Sequence, residues 1–518
     1  MKIIDCKRFV LCIATGLLAA TAFPKINLFF LMWVAFVPLI YVVMESGYKG
    51  SFCYGFISGF VFNAVGMYWL YLMLYSNTKS CAQALIASSL LWIYLALYWS
   101  VWGGCLCFIR NAIARKFRDD IIQNILLIIA GAAMWVVLEY IRTYFLTGFS
   151  WMLIAYSQFE FTSIVQIAEF TGVYGVSFIL MFCNLCLHFW ISKRVNKYLY
   201  IALVLIVAFA IFGAVRSNRF KSFGEQEFSV SIVQPNIDQN EKWDAAFSAI
   251  IYSNLRNYAS EISKNKTDLV LWPETAFTEL VPNNARMYES AKEITTLAGG
   301  LNIVGSPFSD DGEKVYNAVV SFENGGDYKA VHKKNCLIPF GEYVPFRELF
   351  AQFFDVINHM GDLERGTDTN VFDNGKLRVG STICSENFYP DISRRFVFSG
   401  AKVLSNHAND GWFFDTAAPS QHFAMNVFRA VETRKAMLVS ANSGISGFIE
   451  ASGVIVERTQ LCKKVLLRGT FFQNDFKTFY TKFGDLFVYV CIGIILSVLL
   501  LNYKRRKESP CLGNRKKE

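Results

Sequence analysis

The stretch "IALVLIVAFAIFGAVRSNRFKSFGEQEFSVSIVQPNI" (Ile201–Ile237) contains the point at which the chain changes solvent. Up to Val215 every residue is apolar or small, as suits a bilayer, where a helix must satisfy its own backbone groups. After the basic residues Arg216, Arg219 and Lys221, β-branched residues run as a strand from Phe228 to a turn at Pro235. Apolar runs dominate everything before this point. Beyond it, residues 220–480 have the composition of a water-soluble enzyme-sized domain. A last apolar run, 483–501, is followed by Lys504, Arg505, Arg506 and Lys507.

A spanning helix needs about 20 mostly apolar residues. Runs at 8–24, 27–44, 52–75, 83–108, 122–142, 164–190, 198–215 and 483–501 give about eight transmembrane helices, seven of them before the soluble domain. The first two runs meet tightly at Pro24 and Lys25 and also read as a helical hairpin. "LLAATA" gives residues 1–22 a competing reading as a cleavable signal peptide. Positive charge orients the rest. Lys2 and Lys7, then Lys49, then Arg110, Arg115, Lys116 and Arg118, then Lys193, Arg194 and Lys197 fall on alternate loops. The positive-inside rule puts those loops in the cytoplasm and carries 220–480 to the outer side. The expected organisation is a bundle of about seven helices (1–219), an outer catalytic domain (220–480), a final span (481–503) and a basic cytoplasmic tail (504–518). The aromatic segment 143–162, with Trp151 and Tyr156, reads either as an interfacial belt anchor or as a lipid-binding re-entrant element.

Composition agrees with this split. The 518 residues are 54% hydrophobic and only 18% charged, below the quarter usual in soluble proteins. A formal charge of +9 does not point to nucleic acid, because Lys and Arg lie in short clusters beside apolar runs. Most of the 13 cysteines lie inside those runs. The soluble segment has Cys336, Cys384 and Cys462, which make neither a disulfide framework nor a CxxC metal site.

In the outer domain, strands are expected at 228–237, 267–275, 301–308, 316–324, 328–335 and 401–410, with 377–390 a strand, a tight turn and a helix start. Gly325 and Gly326 mark a hairpin. A helix follows at 417–436, then "MLVSANSG" and "GFIEASGVIVERT" as further strands. Alternating helices and recurring hairpins imply mixed sheets.

Three strand ends carry reactive side chains. Cys384 follows the apolar "VGSTI" and reads either as a pocket-facing nucleophile or as a buried inert thiol. Glu274 ends "LVLWPE", where Pro273 fixes the backbone; it suits a general base, or the first turn of a helix. Lys334, in "HKKNCLIPFGEYVPF", suits oxyanion stabilisation or a plain surface charge. The prolines and glycine around Glu342 rigidify a loop that supports it.

Together, "WPE", "KNCLIPFGE" and "GSTICSENFYP" resemble the Glu, Lys and Cys blocks of the carbon–nitrogen hydrolase (nitrilase) superfamily over 228–460. With "TGFSWMLIAYSQ", "FTGVYGVSF", "VQPNIDQNEKWD", "PFGEYVPF", "NDGWFFD" and "PSQHFAMNVFRAVETRK", nearly the whole chain resembles the bacterial apolipoprotein N-acyltransferase family. The resemblance implies an αββα sandwich beside a polytopic α-helical membrane region. It implies Glu274 as base, Lys334 as oxyanion stabiliser and Cys384 as nucleophile. Glu342 would be a further essential carboxylate, Glu386 a neighbour of the nucleophile's turn, and Trp243 and Trp412 parts of lids and pocket rim. Three positions depart from the family pattern: Ser385 replaces an aromatic residue, Cys336 a histidine, and "SNHAND" a strand close to "NxSND".

The implied reaction takes an acyl chain from a phospholipid, through a thioester on Cys384, to the α-amino group of the diacylglyceryl-cysteine of an apolipoprotein. The implied setting is the inner membrane, with the catalytic domain in the periplasm. No metal or organic cofactor is needed, no nucleic acid takes part, and a monomer is expected. A transferase must keep water from its thioester. A lateral opening toward the lipid and aromatic lids around Trp243 and 339–360 are therefore expected. Rival readings are a tethered amidase, a transporter with an accessory domain, and a structural membrane protein.

Overall fold

The computed structural model describes residues 5–507, apart from 118, 280, 281, 283, 324, 325, 346 and 351–361, with 349–350 and 501–507 given by backbone alone. Arg118, Gly325, Phe346, most of the expected 339–360 lid, the Lys504–Lys507 side chains and the tail beyond them lie outside the described residues. The chain forms two compact units. One comprises Met1–Gln158, Thr171–Ile211 and Asp485–Glu518; the other Phe159–Phe170 and Phe212–Gly484.

This is a multi-span membrane protein, but the expectation of eight spans does not hold. Among the described residues, four helices are long and apolar enough to cross a bilayer: Cys81–Ala114, Asp120–Tyr144, Val173–Lys193 and Asn196–Arg219. A fifth counts if Tyr48–Gly66 and Tyr68–Thr78, bent by 58°, form one broken span. Hydropathy registers apolar residues but not backbone breaks. The first run makes a helix of only 16 residues, Cys6–Thr21. The second is divided between a 3₁₀ turn, Phe29–Trp33, and a short helix, Val37–Met44. The closing helix runs over Leu486–Lys507, with Leu486–Leu500 its apolar part. At a rise of about 1.5 Å per residue, neither of the first two runs forms a helix that alone crosses about 30 Å of hydrocarbon.

Aromatic packing organises this unit. Phe36 stacks on Trp99 at 4.7 Å, and Trp135 meets both edge-on at 4.9 and 5.1 Å. At 143–162, where the sequence leaves a belt anchor and a lipid-binding re-entrant element both open, the two aromatics named there do not form an exposed belt. Trp151 and Tyr156 are buried, with Trp151 against Trp69 at 4.8 Å. Their loop is folded back by two backbone contacts: Arg142 Nη2 donates to the Trp151 carbonyl at 3.2 Å, and Ile154 N donates to Glu139 Oε1 at 2.9 Å.

The second unit holds two mixed six-stranded sheets. Its strands are β1 (Gln226–Gln234), β2 (Leu269–Leu271), β3 (Leu301–Phe308), β4 (Tyr316–Glu323), β5 (Ala330–Lys333), β6 (Val371–Asp373), β7 (Arg378–Ile383), β8 (Val403–Ala408), β9 (Met437–Ala441), β10 (Gly447–Ile449), β11 (Ile455–Arg458) and β12 (Val465–Gln473). The sheet orders are β12-β1-β2-β3-β4-β5 and β11-β10-β9-β8-β7-β6. Parallel trios, β1–β2–β3 and β7–β8–β9, form the buried centre of each sheet, and the outer pairings are antiparallel.

Alternation along β1 builds the sandwich, because successive side chains point to opposite faces. Phe228, Val230 and Ile232 join Val379, Ile383, Val403 and Leu438 in the core between the sheets. Val233 joins the layer of helices Ser248–Ser263 and Ala285–Ala298 on the first sheet's other face. Helices Pro390–Phe398 and Ala418–Thr433 contact the second sheet. The result is the αββα sandwich expected from the motifs.

One buried ion cluster closes this unit. Glu169 Oε2 accepts from Arg434 Nε at 2.6 Å, and its Oε1 from Arg216 Nη2 at 2.5 Å. The Phe220 ring lies under both guanidinium groups, at 4.4 and 4.9 Å. Arg434 is fully buried. Removing one partner of such a group leaves an uncompensated charge, which typically costs about 3–5 kcal/mol. Glu169→Ala is therefore expected to lower unfolding stability by about that amount, read as a lowered melting midpoint of the full-length protein.

Candidate active site

Glu274, Lys334 and Cys384 each follow a strand. Glu274 lies just past β2, Lys334 directly follows β5, and Cys384 directly follows β7. The first two come from one sheet and the third from the other, so the site forms where strand ends of the two sheets meet. A glycine makes room for it. A Cβ on Gly305 of β3 would lie 2.3 Å from the Pro273 carbonyl oxygen and 2.7 Å from Glu274 Cα. No larger residue there leaves the Glu274 turn in place.

The polar groups form one network. Lys334 Nζ is 2.8 Å from Glu342 Oε1 and 3.5 Å from Glu274 Oε1. Asn317 Nδ2, from β4, donates to the same two oxygens at 2.9 and 2.7 Å. Glu342 Oε2 accepts from Ile338 N at 2.8 Å, so both of its oxygens are committed. Glu274 is held only through Oε1. Its Oε2 makes no hydrogen bond among the described residues, which leaves that oxygen available to take a proton.

Electrostatics divide the roles further. Burial opposes the charge on Lys334, but Glu342 and Glu274 outweigh it and raise the ammonium above the ordinary lysine range. Burial pushes the Cys384 thiol well above its ordinary value, Glu274 adds to that, and Lys334 opposes it. The resting group is therefore a thiol, and it needs a base to become a nucleophile.

Cys384 has φ = +47°, in the left-handed region that costs a residue with a Cβ about 1–2 kcal/mol. Its carbonyl oxygen is pinned by Asn406 Nδ2 at 3.1 Å and His422 Nε2 at 3.2 Å. Glu386, two residues on, does not enter the Glu274–Lys334 network. Fully buried, it accepts from Ile383 N at 2.8 Å, from Asn335 N at 2.6 Å, and meets His332 Nε2 at 3.1 Å. It thus ties the residue after Lys334 to the residue before Cys384. Burial raises its pKa, but His332 and the backbone N–H groups outweigh that and hold it below the ordinary value.

A carboxyl lowered in the folded state stabilises above its unfolded pKa of about 4.3, and that contribution is lost as pH falls through the folded value. Glu386→Gln replaces one of the two accepting oxygens by an amide N–H, which then faces one of the two backbone N–H donors. It is expected to cost about 1–3 kcal/mol near neutral pH and to remove the acid-side loss of stability, as melts at pH 7 and pH 4 would show.

Trp243 and Trp412 are both exposed, and neither shares a hydrogen bond with the triad among the described residues. Their chain neighbours do reach the site. Lys242, 1% exposed, donates to the Glu274 carbonyl at 3.1 Å, and burial pulls its ammonium down to about 7 against the pull of Glu274 and Cys384. Asp410 holds His422 at 2.8 Å. Sequence reasoning missed Asn317, Lys242, Asp410 and His422. The one available signal was a polar residue inside an apolar stretch, as with Asn317 in "YNAVVSFE".

Comparison with known proteins covers both units. The family described as "Apolipoprotein N-acyltransferase N-terminal domain" matches residues 15–186, and "Carbon-nitrogen hydrolase" matches 229–469. The apolipoprotein N-acyltransferase of Geobacter metallireducens is 32% identical over 517 residues, covering 96% of each chain. That of Nitrosomonas europaea is 28% identical over 496 residues, 94% of this chain and 96% of its own. Among solved structures, Saccharomyces cerevisiae Nit3, a member of branch 10 of the nitrilase superfamily, overlays at a TM-score of 0.39 and 14% identity. It covers 57% of this chain and 99% of its own. At that score it adds nothing to the strand order described above.

Proposed function

The chain belongs to the apolipoprotein N-acyltransferase family, and we propose that it moves a fatty acyl chain from a phospholipid, through a thioester on Cys384, to a lipoprotein N-terminus. The observation that carries this reading is the meeting of Glu274, Lys334 and Cys384 in a chain similar to that family along nearly its whole length.

In the first half-reaction, Glu274 Oε2 takes the Cys384 proton and the sulfur attacks the ester carbonyl carbon. Lys334 stabilises the oxyanion. The C–O bond breaks, and Glu274 returns the proton to the departing lysophospholipid alkoxide. In the second half-reaction, the free α-amine of a diacylglyceryl-cysteine attacks the thioester and gives its proton to Glu274. The C–S bond breaks and the thiolate recovers the proton, leaving an amide. Glu342, committed on both oxygens, keeps Lys334 in place and does not exchange protons.

The catalytic domain is proposed to face the periplasm, with the chain acting as a monomer in the inner membrane. Basic residues support that side. Arg115 and Lys116 precede helix Asp120–Tyr144, and Arg194 lies between Val173–Lys193 and Asn196–Arg219. If these loops are cytoplasmic, the last of the three helices delivers the catalytic domain outside.

Intact-mass analysis with peptide mapping tests the reading. Wild-type enzyme incubated with phospholipid should gain one acyl chain on Cys384 and lose it when a diacylglyceryl-cysteine peptide is added. Steady ammonia release from small amides, with no such adduct, would instead identify a tethered amidase.

A further inference from the structure

His422 lies in the helix Ala418–Thr433, on the buried side of the Cys384 turn, and is 2% exposed. Its Nδ1 is 2.8 Å from Asp410 Oδ1. Its Nε2 is 3.2 Å from the Cys384 carbonyl oxygen and 3.0 Å from Asn387 Oδ1. A carboxylate oxygen and a backbone carbonyl oxygen accept hydrogen bonds and cannot donate them. Both ring nitrogens must then carry hydrogen, which makes the ring an imidazolium.

The arrangement is tightly built. A Cβ on Gly444 would lie 2.1 Å from Asp410 Oδ2, so the carboxylate fills space that only glycine leaves open. Phe388 meets the imidazole edge-on at 5.3 Å. Asn387, which faces Nε2, is itself held by Asn426 Oδ1 at 3.1 Å.

We propose that His422, kept doubly protonated by Asp410, is a positioning residue that clamps the Cys384 carbonyl and so fixes the direction of the nucleophilic thiol. The proposal rests on Cys384 being the acyl carrier. The left-handed backbone at Cys384 needs such a restraint. Of the two side chains bonded to its carbonyl oxygen, Asn406 contributes a neutral donor and His422 a charged one, and charge-assisted hydrogen bonds are roughly twice as strong. The titratable groups facing the ring are Asp410 from the 410–413 turn, Cys384 from the end of β7, and Glu274 from the loop after β2. Burial opposes charge on the ring, but Asp410, the contact to the Cys384 carbonyl and Glu274 outweigh it, so the imidazole titrates above its ordinary range.

The clamp is tested first without activity. The full-length protein carries five histidines, few enough for ¹⁵N-histidine NMR with His422→Gln as the assignment control. His422 should show two protonated nitrogens at pH 8; a neutral ring there overturns the proposal. The second test is kinetic. His422→Phe should lower kcat about a hundredfold with KM unchanged, since misplacing a reacting group by about 1 Å costs that much. His422→Gln, which keeps an N–H for the Cys384 carbonyl, should restore most of the loss.

Asp410→Asn removes the charge that holds the second proton. With burial then opposing the charge, its kcat should fall as pH rises through a value below the ordinary imidazole value of about 6.5, and the wild-type enzyme should show no such step. A wild-type pH profile in Asp410→Asn, or equal losses in the Phe and Gln variants, overturns the proposal. Failure of the functional reading is distinguishable from this. In that case no acyl adduct forms on wild-type Cys384, while the NMR signature still decides whether the clamp is charged.

Discussion

Cys384→Ala is expected to lose acyl transfer by about ten-thousandfold or more, the scale seen when a covalent nucleophile is removed. No acyl adduct should form on the variant with phospholipid. The fold should survive. Alanine meets the same left-handed backbone cost as cysteine, and the hydrogen bonds that fix the turn run to the Cys384 carbonyl, which the substitution keeps. The melting midpoint should therefore stay close to wild type. The measurement is transfer of a labelled acyl chain to a diacylglyceryl-cysteine peptide, with a melt of the same preparation. Transfer at the wild-type rate would remove Cys384 from the mechanism.

Lys334→Met should cost about a thousandfold in kcat, the upper range for losing one oxyanion donor. The loss has a second origin. Without the ammonium, the buried Glu274 and the partly buried Glu342 carry like charge and share Asn317 as their only common partner among the described residues. One carboxyl must then bind a proton more tightly. A protonated Glu274 cannot serve as base, so the acid limb of the pH–rate profile should move to higher pH.

Stability should fall by about 3–5 kcal/mol near neutral pH, the usual cost of leaving a buried charge without its partner. The sign with pH is definite. A carboxyl raised in the folded state destabilises fully above its folded pKa, and the penalty disappears below the unfolded value. The deficit of the variant should therefore shrink between pH 7 and pH 4. An unmoved acid limb together with a pH-independent deficit would contradict the network described here.

The sequence made some of this legible and hid the rest for physical reasons. The strand ends at Glu274, Lys334 and Cys384 could be read because each follows a short β-branched run broken by proline, glycine or a polar turn. Strand β12 and helices Ser248–Ser263 and Ala285–Ala298 were not assigned from the sequence. β12 pairs with β1 from the other end of the domain, and nothing local in "VLLRGTFFQ" announces that partner. Asn317, Lys242, Asp410 and His422 act through contacts between distant segments, which composition and period do not record. The span count failed in the opposite direction. Apolar content was read correctly, but the break at Met67 and the short helix Val37–Met44 are properties of the backbone and leave no mark on hydropathy.

The Glu169–Arg434 pair has a consequence for how the protein is made. Its partners are 265 residues apart, so the carboxylate leaves the ribosome long before the guanidinium that it will neutralise. The catalytic unit cannot reach its final form while translation is still short of Arg434. Segment 159–170 must wait for a partner not yet synthesised. A recombinant fragment beginning at residue 220 would contain the whole Glu–Lys–Cys constellation but lack Glu169 and Arg216. It would fold around an orphaned Arg434, a strong reason to produce this enzyme only as the full chain.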